Sequence, residues 1–108
     1  MRIESQYATY DNVFLLIGSY LADGSLNIRV CNYEDGAIAT ITKCLCDFEL
    51  EPNENYIDTN NCPWLIDFIE EYGLGKLTGK TGESGYCTYP VVRFDMDVLK
   101  KYAKDFGG

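Results

Sequence analysis

Histidine is absent from the chain, which removes Ser-His-Asp and Cys-His nucleophile activation, His-containing zinc sites and imidazole proton shuttles. Proline is scarce, three residues against ten glycines, and no internal repeat or low-complexity tract interrupts the sequence. Long apolar runs are missing too. Near the start the longest is Val13 to Ile17, too short for a signal-peptide core. Nothing approaches the roughly 20 apolar residues that span a bilayer, so the expectation is a cytoplasmic protein with no membrane association. The last deficit is local: between Cys44 and Gly75 there is no lysine or arginine.

What is present fits one globular domain over residues 1–108. At 46% hydrophobic residues, a chain of this length can bury a real core, and it is too short to need two. The formal charge of -8 is unevenly spread: residues 1–43, 44–75 and 76–108 carry -2, -8 and +2. The acids of the middle segment are Asp47, Glu49, Glu51, Glu54, Asp58, Asp67, Glu70 and Glu71. Direct nucleic-acid binding is disfavoured, because a phosphate-binding groove needs a net basic surface. An acidic patch instead attracts a basic protein surface and speeds encounter with it, while its bland counterpart is a solvated face that keeps the protein soluble.

Residues 12–43 read as a three-stranded meander, NVFLLIGSYL, SLNIRVCN and AIATITK, broken at Asp23-Gly24 and Asp35-Gly36. Asp-Gly tolerates the positive φ angles of tight hairpins. Leu26, Ile28 and Val30 alternate with Asn27, Arg29 and Cys31, the pattern of a strand buried on one face. The first strand is apolar on both sides, which predicts a central strand covered twice. A loop follows Cys46, with one short strand at Tyr56 to Thr59. A helix is predicted over 63–72, capped by Asn60 or Asn61, with Trp64, Leu65, Phe68, Ile69 and Tyr72 as its apolar stripe and Asp67, Glu70 and Glu71 facing out. Five glycines between 73 and 85 predict a loop or loose hairpin. YCTYPVVRF has strand composition, and Pro90 confines it to a sheet edge or a bulge. A second helix over 95–105 is capped by Asp95, with Met96, Leu99, Tyr102, Ala103 and Phe106 at helical spacing. The expected fold class is α+β, an antiparallel sheet of the N-terminal meander plus a later edge strand near 86–94, packed against two α-helices.

The chemistry these residues could carry is limited. Gly79-Lys80-Thr81 resembles part of a phosphate loop, but the position of its first glycine is Leu74, and glycines follow where a helix should start. The five cysteines, Cys31, Cys44, Cys46, Cys62 and Cys87, cannot all pair within one chain and are expected to be reduced. Cys44, Cys46, Cys62 and Cys87 could supply four thiolates to a structural zinc, although the C-x-x-C knuckles of strong zinc sequences are missing. Carboxylate pairs such as Asp47 with Glu49 or Glu70 with Glu71 arise readily by chance among seventeen acids, and the spacing of a calcium loop is absent. Nine tyrosines suit either sheet faces or a protein interface, and Trp64 anchors the first helix.

The strings LIGSYL (16–21), YIDTNNCPW (56–64), FIEEYGLG (68–75) and SGYCTYP (84–90) together resemble an uncharacterised family of short acidic proteins. That family is encoded on conjugative and other mobile elements of anaerobic Gram-positive bacteria. The resemblance covers most of the chain and implies context alone, since the family brings no assigned activity or catalytic residues.

The resulting expectation is a non-enzymatic accessory protein without a cofactor, its oligomeric state left open. It binds the basic surface of a protein partner through Asp47, Glu49, Glu51, Glu54, Asp58, Asp67, Glu70 and Glu71. Two alternatives stand beside it: a DNA-mimic inhibitor of a host nuclease or defence complex, and a small structural zinc protein.

Overall fold

Both Asp-Gly steps turn the chain as expected. Gly24 and Gly36 each adopt φ of +73°, and Asp23 accepts a 2.9 Å hydrogen bond from the Ser25 amide within its turn. The structure, a computed structural model, describes residues 1–6, 8–45 and 49–104. A short hairpin of β1 (Ile3–Glu4) and β2 (Thr9–Tyr10) precedes an antiparallel sheet of β3 (Phe14–Ser19), β4 (Leu26–Asn32) and β5 (Gly36–Thr40) in that spatial order. Thus β4 is the central strand, and β3, expected at the centre, lies at an edge. Its apolar first half is nevertheless buried: Leu15 bridges in parallel to Ala103, and the Lys104 amide donates to the Leu15 carbonyl at 3.0 Å. Its second half, Gly18 and Ser19, is exposed.

The third meander run does not stay in that sheet. At Ile41 the backbone leaves β5, and β6 (Thr42–Lys43) joins a second antiparallel sheet with β7 (Glu54–Ile57), β8 (Gly75–Ser84) and β9 (Cys87–Phe94), ordered β6-β7-β9-β8. Ile41 serves both layers. Its amide donates to Ile28 of β4 at 2.9 Å, and its carbonyl accepts from Asp58, just past β7, at 2.8 Å. The Asn55 side-chain amide adds a second tie, donating to the Leu26 carbonyl at 2.7 Å.

The 86–94 strand is therefore an interior strand of the second sheet, flanked on both sides, and the expectation of an edge strand added to the meander is corrected. Pro90 is accommodated by a bulge: the β8 register shifts between Leu77 and Thr81, and the Thr78 hydroxyl donates to the Val91 carbonyl at 3.0 Å. The glycine-rich stretch 73–85, expected as a loop or loose hairpin, forms β8, the hairpin partner of β9. Two of its glycines, Gly75 and Gly82, are required by packing. A Cβ on Gly82 would meet the Tyr56 ring, 2.7 Å from Cζ, whereas one on Gly18 would meet no atom within 4 Å. Gly82→Ala is expected to destabilise the chain by about 1–3 kcal/mol. Gly18→Ala should shift stability by less than about 1 kcal/mol, and urea denaturation of the two variants checks the contrast.

The helices are short, α1 (Leu65–Glu71) and α2 (Met96–Tyr102). Asp95 caps α2, its Oδ1 accepting from the Asp97 and Val98 amides at 3.1 and 3.2 Å. Among the described residues no side chain caps α1. Asn61 instead donates its amides to the Asp58 carboxylate, at 3.2 Å from the backbone and 2.8 Å from the side chain. Leu65, Phe68 and Ile69 of α1 and Leu99 of α2 belong to one buried cluster with Ile28, Val30, Ile57 and Val92. The coarse class is antiparallel sheets with two short helices, α+β or mainly β. Asp47, Cys46 and Phe106 lie outside the described residues.

Candidate functional site

The eight acids of the middle segment do not form one surface. β7 is buried along its whole length, and this carries Glu54 inside: its side chain has no exposed area. Lys80 Nζ lies 2.7 Å from Oε1 and Arg93 Nη2 3.2 Å from Oε2, while the Glu51 amide donates to Oε1 at 3.2 Å. The direct hydrogen bond from Lys80, reinforced by the Glu51 amide, holds the Glu54 carboxyl below its ordinary value. Asp58 is buried as well, held by Asn61 and with Lys43 Nζ at 3.9 Å. Glu54 and Asp58 therefore drop out of the expected acidic surface, because both are enclosed and paired within the fold.

Glu49 and Glu51 are exposed on the segment leading into β7, near the junction where the Phe94 amide donates to Asn53 at 2.8 Å. Asp67, Glu70 and Glu71 are exposed on α1 as the helical stripe requires, since burying Leu65, Phe68 and Ile69 turns the opposite face outward. Among the described residues none of these three acids has a lysine or arginine within salt-bridge distance. The guanidinium of Arg2, close by, is shared between Glu4 at 3.1 Å and Asp11 at 3.4 Å.

Asp67 and Glu71, one turn apart, line a groove of about 350 Å³ together with Arg2, Glu4, Trp64 and Tyr72. Its aromatic wall is rigid: Trp64 meets Phe68 edge-on at 5.5 Å, and Phe68 meets Tyr72 at 5.2 Å. Glu70 faces the other way, beside Ile66, Lys76 and Leu77. The helix's own field opposes this arrangement. The last turn of α1 holds Glu70 and Glu71 and no base, so two carboxylates sit at the negative pole. In α2 the pattern is the favourable one, with Asp97 in the first turn and Lys100 and Lys101 in the last.

Of the four thiols of the zinc alternative, Cys46 lies outside the described residues, and Cys62 and Cys87 lie in separate clusters. Cys62 is buried in the main core, while Cys87 belongs to a second cluster with Tyr56, Tyr89 and Val91. Burial, and the Asp58 carboxylate beside it, push the Cys62 thiol up to about 11, so it stays protonated at neutral pH and is a poor nucleophile. Among the described residues no group of three or more Cys, Asp or Glu side chains is placed to hold a metal ion. Among the same residues no helix is long and apolar enough to cross a membrane.

Two features of the site have no local signal in the sequence. The cations that neutralise Glu54 stand 26 and 39 residues from it, beyond any local pattern. Arg2 and Glu4 come from the N-terminal hairpin, and their place beside α1 depends on the Tyr72 hydroxyl accepting from the Arg2 amide at 2.8 Å.

An antiparallel α+β or mainly β domain with an acidic, aromatic-walled groove on its first helix is thus the class that fold and site define. The chain belongs to the family described as a domain of unknown function, DUF4313, which matches residues 14–106. It matches no curated protein and no solved structure.

Proposed function

We propose that the protein is a non-enzymatic accessory protein of a mobile genetic element, which binds a basic surface of a protein partner through the acids of α1. The observation that carries this reading is the placement of Glu70 and Glu71 at the wrong end of a helix for its dipole, with no cation paired to them among the described residues and with Asp67 one turn back. Charges held against the local field cost folding free energy. A lysine- or arginine-rich surface docked on them reverses that penalty and gains the steering that complementary charge supplies.

Two measurements test the reading. Affinity capture from a lysate of the source organism, identified by mass spectrometry, should retain a basic protein at low salt and release it at high salt. The variant with Asp67→Lys, Glu70→Lys and Glu71→Lys together should fail to retain it; equal retention by variant and wild type refutes the assignment. The second measurement is the thermal midpoint of Glu70→Lys/Glu71→Lys without a partner. It should rise by about 4 °C, since each reversal at a helix C-terminus is worth about 0.3–1 kcal/mol. Should the captured protein be a nuclease, a gel-shift competition with its DNA separates a DNA mimic from a ligand of some other basic face.

A further inference from the structure

Sheet edges expose unpaired amide and carbonyl groups, and most edges here are guarded. β3 is closed by the Ala103 bridge and the Lys104 amide, and β6 lies against β4, where Thr42 Oγ1 accepts from the Ile28 amide at 3.1 Å. β8 bears Lys76, Lys80 and Glu83 and is kinked at its bulge, where Gly79 takes φ of +86°. β5 is also bulged, its register to β4 skipping Ile38, and Gly36 takes φ of +73°. It differs in composition: Gly36, Ala37, Ile38, Ala39 and Thr40 contain no charge and no proline, and among the described residues the strand pairs only with β4.

Beside this strand lies a cleft of about 470 Å³, lined by Ala8, Tyr10, Ile38, Cys62, Pro63 and Trp64 among others. Glu4 and Trp64 line both this cleft and the acidic groove of α1, so the two depressions are continuous. A strand edge free of charge and proline, next to a partly apolar cleft, has the two parts of recognition by strand addition: main-chain hydrogen bonds for affinity and a side-chain pocket for selection. We infer that β5 receives an extended segment of a partner protein as an added strand, with a bulky apolar side chain of that segment in the cleft and a lysine or arginine beyond it over Glu4, Asp67 and Glu71. The basic flank rests on the function proposed above; the strand addition does not.

The test uses the whole chain, immobilised and panned against a display library of random dodecapeptides. The enriched peptides should carry alternating apolar residues and a basic flank. A synthetic copy of one should slow amide hydrogen exchange at residues 36–40 at least about tenfold, and Ala8→Trp, which fills the cleft from the hairpin side, should weaken its binding by a similar factor. No enrichment, or protection confined to segments outside 36–40, overturns the inference. So does a dimer in sedimentation whose β5 amides are already protected, since a second copy would then occupy the edge. Protection at 36–40 that survives Asp67→Lys/Glu70→Lys/Glu71→Lys with unchanged affinity upholds strand addition and counts against the charge-based reading alone.

Discussion

Replacing Lys80 and Arg93 together by methionine is expected to lower the thermal midpoint by about 15 °C or more, because it leaves a fully enclosed carboxylate without a cation. Lys80 and Arg93 are both more than half exposed, whereas Glu54 has no exposed area, so the burden of burial falls on the carboxylate alone. The same reasoning predicts that adding Glu54→Gln to the double variant recovers much of the loss, since a neutral amide needs no counter-charge. In the wild type the paired carboxyl lies below its ordinary value of 4.5, so its contribution to stability is complete above that value and is lost as pH falls through the folded-state value. Thermal midpoints of the three proteins at neutral pH check the loss and its recovery, and the wild type's midpoint on acidification checks the sign.

Truncating Ile41 is expected to have an effect of similar size. Ile41 is wholly buried and sits at the one step where the chain passes from β5 to β6, bonded to β4 by its amide and to the segment after β7 by its carbonyl. Ile41→Ala removes apolar volume from the seam between the two sheets and should cost about 3–4 kcal/mol, or about 15 °C in midpoint. Ile41→Val should cost about 1 kcal/mol. Because the seam is shared, fluorescence and circular dichroism should still report one coincident transition in denaturant. A variant in which one sheet melts early and the other holds would show that the layers are coupled elsewhere, for instance through Asn55 and the Leu26 carbonyl.

The parts of the fold that were legible are those written in local chemistry. Asp23-Gly24 and Asp35-Gly36 announce hairpins through the φ angles they permit, Asp95 announces a helix through its carboxylate, and Leu65, Phe68 and Ile69 fix which face of α1 turns inward. The illegible parts depend on distant partners. Nothing in AIATITK distinguishes one continuous strand from a strand that changes sheets at Ile41, since no glycine, proline or charge marks a break before Lys43. The glycines of β8 read as a loop because glycine disfavours strands, yet Gly82 is needed where the Tyr56 ring crosses the sheet and Gly75 where the Arg93 carbonyl would lie 2.6 Å from a Cβ. Acidity alone could not separate Glu54 and Asp58 from Asp67, Glu70 and Glu71. The difference lies in burial, and burial followed from β7 lying between β6 and β9.

Two acids, Glu54 and Asp58, are enclosed and paired within the fold, and three, Asp67, Glu70 and Glu71, are exposed on α1, where the proposed partner would meet them. The most direct measurement is the dissociation constant of the captured basic protein for wild type and for Glu70→Lys/Glu71→Lys, each at low and high salt. Binding should be at least about tenfold weaker for the variant at low salt, with the difference shrinking as salt screens the charges. Equal constants at low salt would contradict the proposed function and leave the acids of α1 as a solvated face.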